Sequence, residues 1–282
     1  MIEFRNVTKR FGGATALDWV SLNITGNGIY SLLGRNGAGK TTLLKLIAGY
    51  IHATEGEVIV DGKPVTPMNA PSCAQFIESN AAQFNMKVGR LLEAASDLQE
   101  GFDIAFAKRM LTRFQLNPHK RFNQLSFGMK TMVTTILSLS NNSKALLLDE
   151  PVLGFDAIMR SRFNALLYES YELHPRVIIV STHLIDEIAK ITQKLIIIND
   201  GRILLQADID DIDEKAYSLT GPSTILAPAL EGLNVIGREA IGGMLAAYIY
   251  DRRIKPPAGV MVDRLSLQDF FIKLVEGDEQ HA

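Results

Sequence analysis

The chain has 282 residues and a mass of 31.1 kDa, with 47% apolar and 21% charged residues, which excludes a disordered or fibrous chain and leaves room for one large domain and a small one. Lys and Arg number 29 against 31 Asp and Glu, a net charge of −2 with no Lys/Arg run, which argues against nucleic acid as the main partner. One cysteine, Cys73, excludes a disulfide framework and a cysteine metal site within one chain and fits a reducing compartment.

The N-terminus, Met1 to Arg5, has no apolar signal core. Ile2, Phe4 and Val7 are spaced for a short strand. Val20, Leu22 and Ile24 alternate with polar residues as in a half-buried strand, and Ile29 to Leu33 is a short apolar run suited to a strand covered on both faces. A glycine-rich loop follows at Gly34–Gly39, then a helical pattern from Lys40 to Tyr50. Gly56 to Val60 returns to strand before the Asp61-Gly62 turn.

Residues 86–142 change character. Val88–Ser96, Ile104–Phe114 and Met129–Ser140 have helical period and read as a helical insertion. Beyond it, strands at Ala145–Leu148, Val177–Val180 and Leu195–Ile198 alternate with helices at Met159–Tyr171 and Leu184–Ile191, which implies a parallel sheet. Composition shifts after Asp213. Ser266-Leu267-Gln268-Asp269 reads as a capping box opening a helix with Leu267, Phe270, Phe271, Leu274 and Val275 on one face. The expected organisation is an α/β domain over 1–215 and a small α+β extension over 218–282. The longest apolar stretches, such as Ala240–Tyr250, contain glycines and fall short of the roughly 18 residues a spanning helix requires, so any membrane role is expected through a partner.

Gly34-Arg35-Asn36-Gly37-Ala38-Gly39-Lys40-Thr41 matches the phosphate-loop pattern G-x-x-x-x-G-K-[ST], between a strand and a helix as the motif requires. Glycines let successive N–H groups converge on a phosphate, and the helix start adds its positive dipole end. Lys40 is a point charge for the outer phosphates and the Thr41 hydroxyl a Mg²⁺ ligand. Leu146–Leu148 leads into Asp149 and Glu150, two acids at the carboxyl end of a parallel strand, where ligands bind. Strand alternation points them apart, so one is assigned to Mg²⁺ and the other to holding a water as general base. His183 also follows a strand end, unlike the other four of the five histidines.

These residues resemble the nucleotide-binding subunit of ATP-binding cassette (ABC) transporters over roughly 1–205, most like cassettes of the ABC-2 or antibiotic-resistance exporter type. Phe11 is similar to the aromatic that stacks on adenine, and Gly34–Thr42 to the Walker A loop. Leu125–Met129 stands where the signature L-S-G-G-Q falls. Leu146–Glu150 resembles Walker B, Gly154-Phe155-Asp156 the D-loop, and His183 the switch histidine. The chain departs from the pattern at Phe127 and Met129 in the signature and at Val152. The usual Q-loop glutamine has no clear match; counting back from Val88 gives Glu78, with Gln83 the second candidate.

The resemblance implies a P-loop NTPase core with an N-terminal antiparallel β subdomain. It implies ATP held by Phe11 and by Gly34, Arg35, Asn36, Gly37, Ala38, Gly39, Lys40, Thr41 and Thr42. Mg²⁺ would be held by Thr41, Asp149 and Glu78, with Glu150 and His183 catalytic. Ser126, Gly128 and Asp156 would meet the nucleotide of a second cassette, identical or not, across an ATP-sandwiched dimer. It further implies a separate transmembrane permease, a place on the inner face of the cell membrane, and export. The rivals are a soluble ABC ATPase acting on ribosomes or DNA, and a nucleotide-binding regulator without turnover.

Overall fold

The computed structural model describes residues 1–78 and 84–281. In chain order its elements are β1 (Ile2–Phe11), β2 (Ala14–Ile24), β3 (Gly28–Leu33), α1 (Lys40–Ile47), β4 (Glu55–Val60), β5 (Lys63–Pro64) and β6 (Ala74–Glu78). Then come α2 (Val88–Leu98), α3 (Ile104–Arg113), a single 3-10 turn at Phe122–Gln124, α4 (Phe127–Leu139), β7 (Ala145–Asp149), α5 (Ala157–Leu173), β8 (Val177–Thr182), α6 (Ile185–Ala189) and β9 (Lys194–Asn199). The last part holds β10 (Arg202–Asp208), α7 (Ile209–Lys215), β11 (Ala216–Pro222), α8 (Ser223–Ala229), β12 (Val235–Ile241), β13 (Met244–Tyr250), β14 (Met261–Arg264) and α9 (Leu267–His281).

The central sheet has the order β10-β9-β3-β8-β7-β6, with every neighbouring pair parallel except β10 against β9. Its inner strands are buried on both faces, which is why they read as unbroken apolar runs rather than alternating ones. One face presents Tyr30, Leu32, Leu147, Ile179 and Ile196 to α1 and to the antiparallel sheet β2-β1-β4-β5. The other presents Ile29, Leu33, Leu146, Leu148, Ile178 and Leu195 to a layer of helices. Register aligns the carboxyl ends: Leu33 stands opposite Thr182, and Asp149 lies between Glu78 and Ser181. Every central-sheet strand end that carries a candidate functional group therefore opens on one edge.

Several elements differ from expectation. The first strand runs ten residues, not a few, because it pairs on both sides with β2 and β4. Strand β6 has no periodic signal, since only Phe76 of its five residues is buried; it forms by pairing with β7 at the sheet edge. Helix α4 starts at Phe127, capped by the Ser126 hydroxyl, rather than at Met129. Helix α6 has five residues instead of the eight expected.

The last residues form a four-stranded antiparallel sheet, β12-β13-β11-β14, beginning at Ala216 and so two residues before the expected boundary. Helix α8 covers one face with Leu226 and Leu230 over Tyr217, Leu219 and Ile249. Helix α9 covers the other, with the Phe270 ring 5.1 Å from that of Tyr250. Its Ser266-to-Asp269 cap forms as expected: the Asp269 N–H donates to Ser266 Oγ at 3.0 Å. Helix α9 also lies against α6, and Phe270 and Val275 are buried in the same cluster as the central sheet's helical layer. The extension is thus pinned to the helical layer of the first domain by burial and not only by chain connection. Phe270→Ala should cost about 3–5 kcal/mol of stability, read as a shift of the urea unfolding midpoint. Nucleotide affinity should be unchanged, because every candidate phosphate contact lies upstream.

Candidate functional site

Strand β3 delivers the phosphate loop. A Cβ on Gly34 would fall 2.6 Å from the Ile198 carbonyl oxygen, and one on Gly39 would fall 2.7 Å from that of Ala16 at a φ of 107°. Only glycine fits either place. The loop turns where Ala38 N–H donates to the Arg35 carbonyl at 3.1 Å, with Ala38 buried and Arg35, Asn36 and Gly37 exposed at its crest. Helix α1 then begins at Lys40 with no side-chain cap and no acid in its first turn, which includes Thr42. The free N–H groups and the dipole end of such a helix attract an anion.

Lys40 is buried, and its Nζ donates to the carbonyls of Gly34 at 2.7 Å and Arg35 at 3.2 Å. Burial pulls the ammonium below its ordinary pKa, and the nearby Glu150 and Asp149 carboxylates pull it back up. Phosphate oxygens would replace two neutral carbonyl partners with charged ones, a stronger bond for the same donor.

The buried Asp149 carboxylate is held from two sides. Thr41 Oγ1 donates to its Oδ2 at 2.7 Å, and the Ser181 hydroxyl donates to its Oδ1. The sheet strand stops there. Glu150 has a φ of 47°, and its N–H donates to both the carbonyl and the hydroxyl of Ser181, each at 3.1 Å. That left-handed residue cancels strand alternation. Both carboxylates turn toward the phosphate loop instead of to opposite faces, yet they keep separate partners. Glu150 Oε1 lies 3.9 Å from Lys40 Nζ, and its Oε2 lies 2.9 Å from His183 Nδ1. An ionised carboxylate only accepts, so that bond places the ring proton on Nδ1 and turns Nε2 outward.

The remaining candidates sit around this centre. Glu78 lies beside Asp149 in the sheet register, with its carboxylate paired to Lys45 at 3.2 Å. Gln83 lies outside the described residues. Phe11 ends β1 opposite Ala14 and is 50% exposed, with the Lys9 ammonium 4.9 Å from its ring centre, so it is not a core residue; Trp19, further along β2, is exposed as well. Ser126 and Asp156 each cap a helix, accepting from Met129 N–H at 3.4 Å and Met159 N–H at 2.8 Å. Gly128 is the second residue of α4, and a Cβ there would meet only Phe155 at 4.0 Å. Asp149 and the Thr41 hydroxyl give hard oxygens that suit Mg²⁺. Among the described residues there is no group of three or more His, Cys, Asp or Glu side chains that could hold a metal ion.

A model of the ABC transporter family matches residues 17–153. The Nod factor export ATP-binding protein I of Burkholderia lata is 31% identical over 312 residues, spanning 99% of this chain and 98% of that protein. The bacitracin transport ATP-binding protein BcrA of Enterococcus faecalis is 25% identical over 298 residues, spanning 98% and 97%. The chain belongs to the ABC transporter ATP-binding family. Among solved structures, the dimeric bacterial ABC transporter cassette MJ0796 superposes with a TM-score of 0.63 at 25% identity, covering 74% of this chain and 99% of that one. The cassette is an ATPase, and its nucleotide is ATP.

Sequence reasoning missed Ser181. Its only signal was a small polar residue closing the apolar run Val177–Val180, a common sight at strand ends. In the cassette it holds both the Asp149 side chain and the Glu150 backbone. Ser181→Ala leaves a buried acceptor and a strained peptide short of a partner. The expected result is a loss of about 1–3 kcal/mol in stability together with a drop in ATP turnover, checked by denaturation and phosphate release on the same protein.

Proposed function

We propose that this chain is the ATP-hydrolysing subunit of a membrane exporter, working as an ATP-sandwiched dimer on a separate permease. One observation carries the chemistry: Lys40, Thr41, Asp149, Glu150, Ser181 and His183 converge at the carboxyl ends of β3, β7 and β8, in front of an uncapped helix start. The loop amides and Lys40 bind the phosphates, and the exposed ring of Phe11 stacks on adenine. Thr41 and Asp149 would hold Mg²⁺, with Glu78 able to reach it on release from Lys45. Such an ion would supply positive charge beside the phosphates. Glu150 orients the attacking water and takes its proton, while His183 fixes that carboxylate from the far side. Ser126, Gly128 and Asp156 meet the partner cassette's nucleotide.

Export is supported by the two transport relatives, each aligned along nearly the whole chain, extension included. Residues 1–215 form the ATPase domain and 218–282 the extension in this reading. Among the described residues no helix is long and apolar enough to cross a membrane, so attachment to the inner face runs through the permease. Its docking place is an apolar groove of about 500 Å³ between the end of β6 and helices α2 and α4, lined by Phe76, Ile77, Phe84, Met86, Leu91 and Leu98.

Glu150→Gln keeps the size and one acceptor oxygen but cannot take the proton. ATP binding should persist while turnover falls on the order of 10²–10⁴-fold, and a dimer should accumulate on a sizing column with ATP but not with ADP. Hydrolysis at nearly the original rate would remove Glu150 from the reaction. Leu98→Glu, at a residue 85% exposed on the groove rim, should abolish co-purification with the permease from membranes and leave ATP binding by the isolated chain intact.

A further inference from the structure

A second cavity, of about 420 Å³, lies on the other side of α2, closed by the second half of α3 and by Leu116, Pro118 and His119. Its rim carries Lys87, Arg90, Lys108 and His119. The one acid there, Glu93, is bonded to Arg90 at 2.9 Å. Among the described residues, Lys87, Lys108 and His119 make no ion pair. The floor is apolar: Leu92, Leu111 and Leu116 are almost fully buried beneath it. Residues 84–121 hold seven Lys/Arg against four Asp/Glu, in a chain whose net charge is −2. Positive charge is thus in excess in this segment, and on the rim Lys87, Lys108 and His119 face no paired acid among the described residues.

We propose that this pocket binds the headgroup of an anionic phospholipid, with the phosphate on the Lys87, Lys108 and His119 rim and the glycerol end over the leucine floor. Free phosphate would use the cations and leave the floor idle. Placement supports the lipid and rests on the permease docking proposed above. On a helix of 3.6 residues per turn, Leu91, Ala94, Ala95 and Leu98 form the groove side of α2, and Gly89, Arg90, Leu92 and Glu93 form the opposite side. A permease seated in the groove brings this helix to the membrane surface, where the inner leaflet is negatively charged and attracts nearby Lys and Arg. The pocket would then steady the cassette beside its permease through a contact that neither the nucleotide nor the permease provides.

The test is flotation of the full chain, without permease, with vesicles of phosphatidylcholine alone or mixed with phosphatidylglycerol. Binding is expected only to the mixed vesicles. It should weaken with added salt and fall about fivefold per lysine removed, so about 25-fold in Lys87→Gln/Lys108→Gln. ATP binding should not change in that variant. Equal binding to both vesicle types overturns the proposal. So does an equal loss in the charge-matched control Lys63→Gln/Lys255→Gln, which removes exposed lysines elsewhere. Release from the vesicles by inorganic phosphate as readily as by soluble short-chain phosphatidylglycerol overturns the lipid assignment in favour of free phosphate. Vesicle binding with ATP hydrolysis absent would count against the transporter reading, whereas hydrolysis with no preference for phosphatidylglycerol counts against the pocket alone.

Discussion

The Asp149 carboxylate is the joint on which the rest of the site depends. It is buried at the end of β7, where an unpaired charge would be expensive. Thr41 from α1 and Ser181 from β8 each donate to one of its oxygens. Those two bonds tie the phosphate-loop helix to two central strands. The same serine receives the Glu150 N–H, so the position of the second carboxylate is fixed through the first. A change at any of Thr41, Asp149 or Ser181 therefore disturbs the start of α1 and the placement of Glu150 together, without a long chain of contacts.

Sheet topology makes that joint possible. Parallel pairing aligns the carboxyl ends of β3, β6, β7 and β8 on a single edge, and burial on both faces forces polar groups out to the strand ends. Helix α1 follows β3 by a loop of six residues, short enough to put its positive end over the same edge. The antiparallel sheet on one side and the helices on the other hold these ends still, and α9 adds apolar cover where the extension meets α6.

Much of this was legible in sequence, for a physical reason. The phosphate loop is built from backbone, and backbone geometry writes itself as glycine spacing: Gly34 and Gly39 are demanded by close approach to carbonyls that no other residue tolerates. Strands buried on both faces write themselves as apolar runs. What sequence did not carry was contact between distant segments. Strand β6 needs β7 beside it. The role of Ser181 is visible only with Asp149 in place. The docking of α9 on α6 joins residues some eighty positions apart. The cationic rim gathers Lys87 and Arg90 from the start of α2, Lys108 from α3 and His119 from the loop beyond, so that no charge run betrays it. Strand alternation misled at Glu150, because the chain leaves the strand with a left-handed residue at the point where alternation was applied.

The departure at Phe127 has a local solution. Where the family pattern has the first signature glycine, this chain places an aromatic ring at the start of α4, about half exposed. The ring rests on Gly154, whose φ is 80° and where an added Cβ would stand 2.6 Å from Phe127 Cε1. Beneath it Phe155 is buried, stacked edge-on to Phe163 at 6.4 Å and facing Gly128. The extra ring at 127 is absorbed by a missing side chain at 154. Signature and D-loop thereby pack as a unit, one end of which is Ser126 and the other the loop that begins at Glu150. The aromatic ring here does not loosen the start of α4; it fastens it to the segment that carries Glu150.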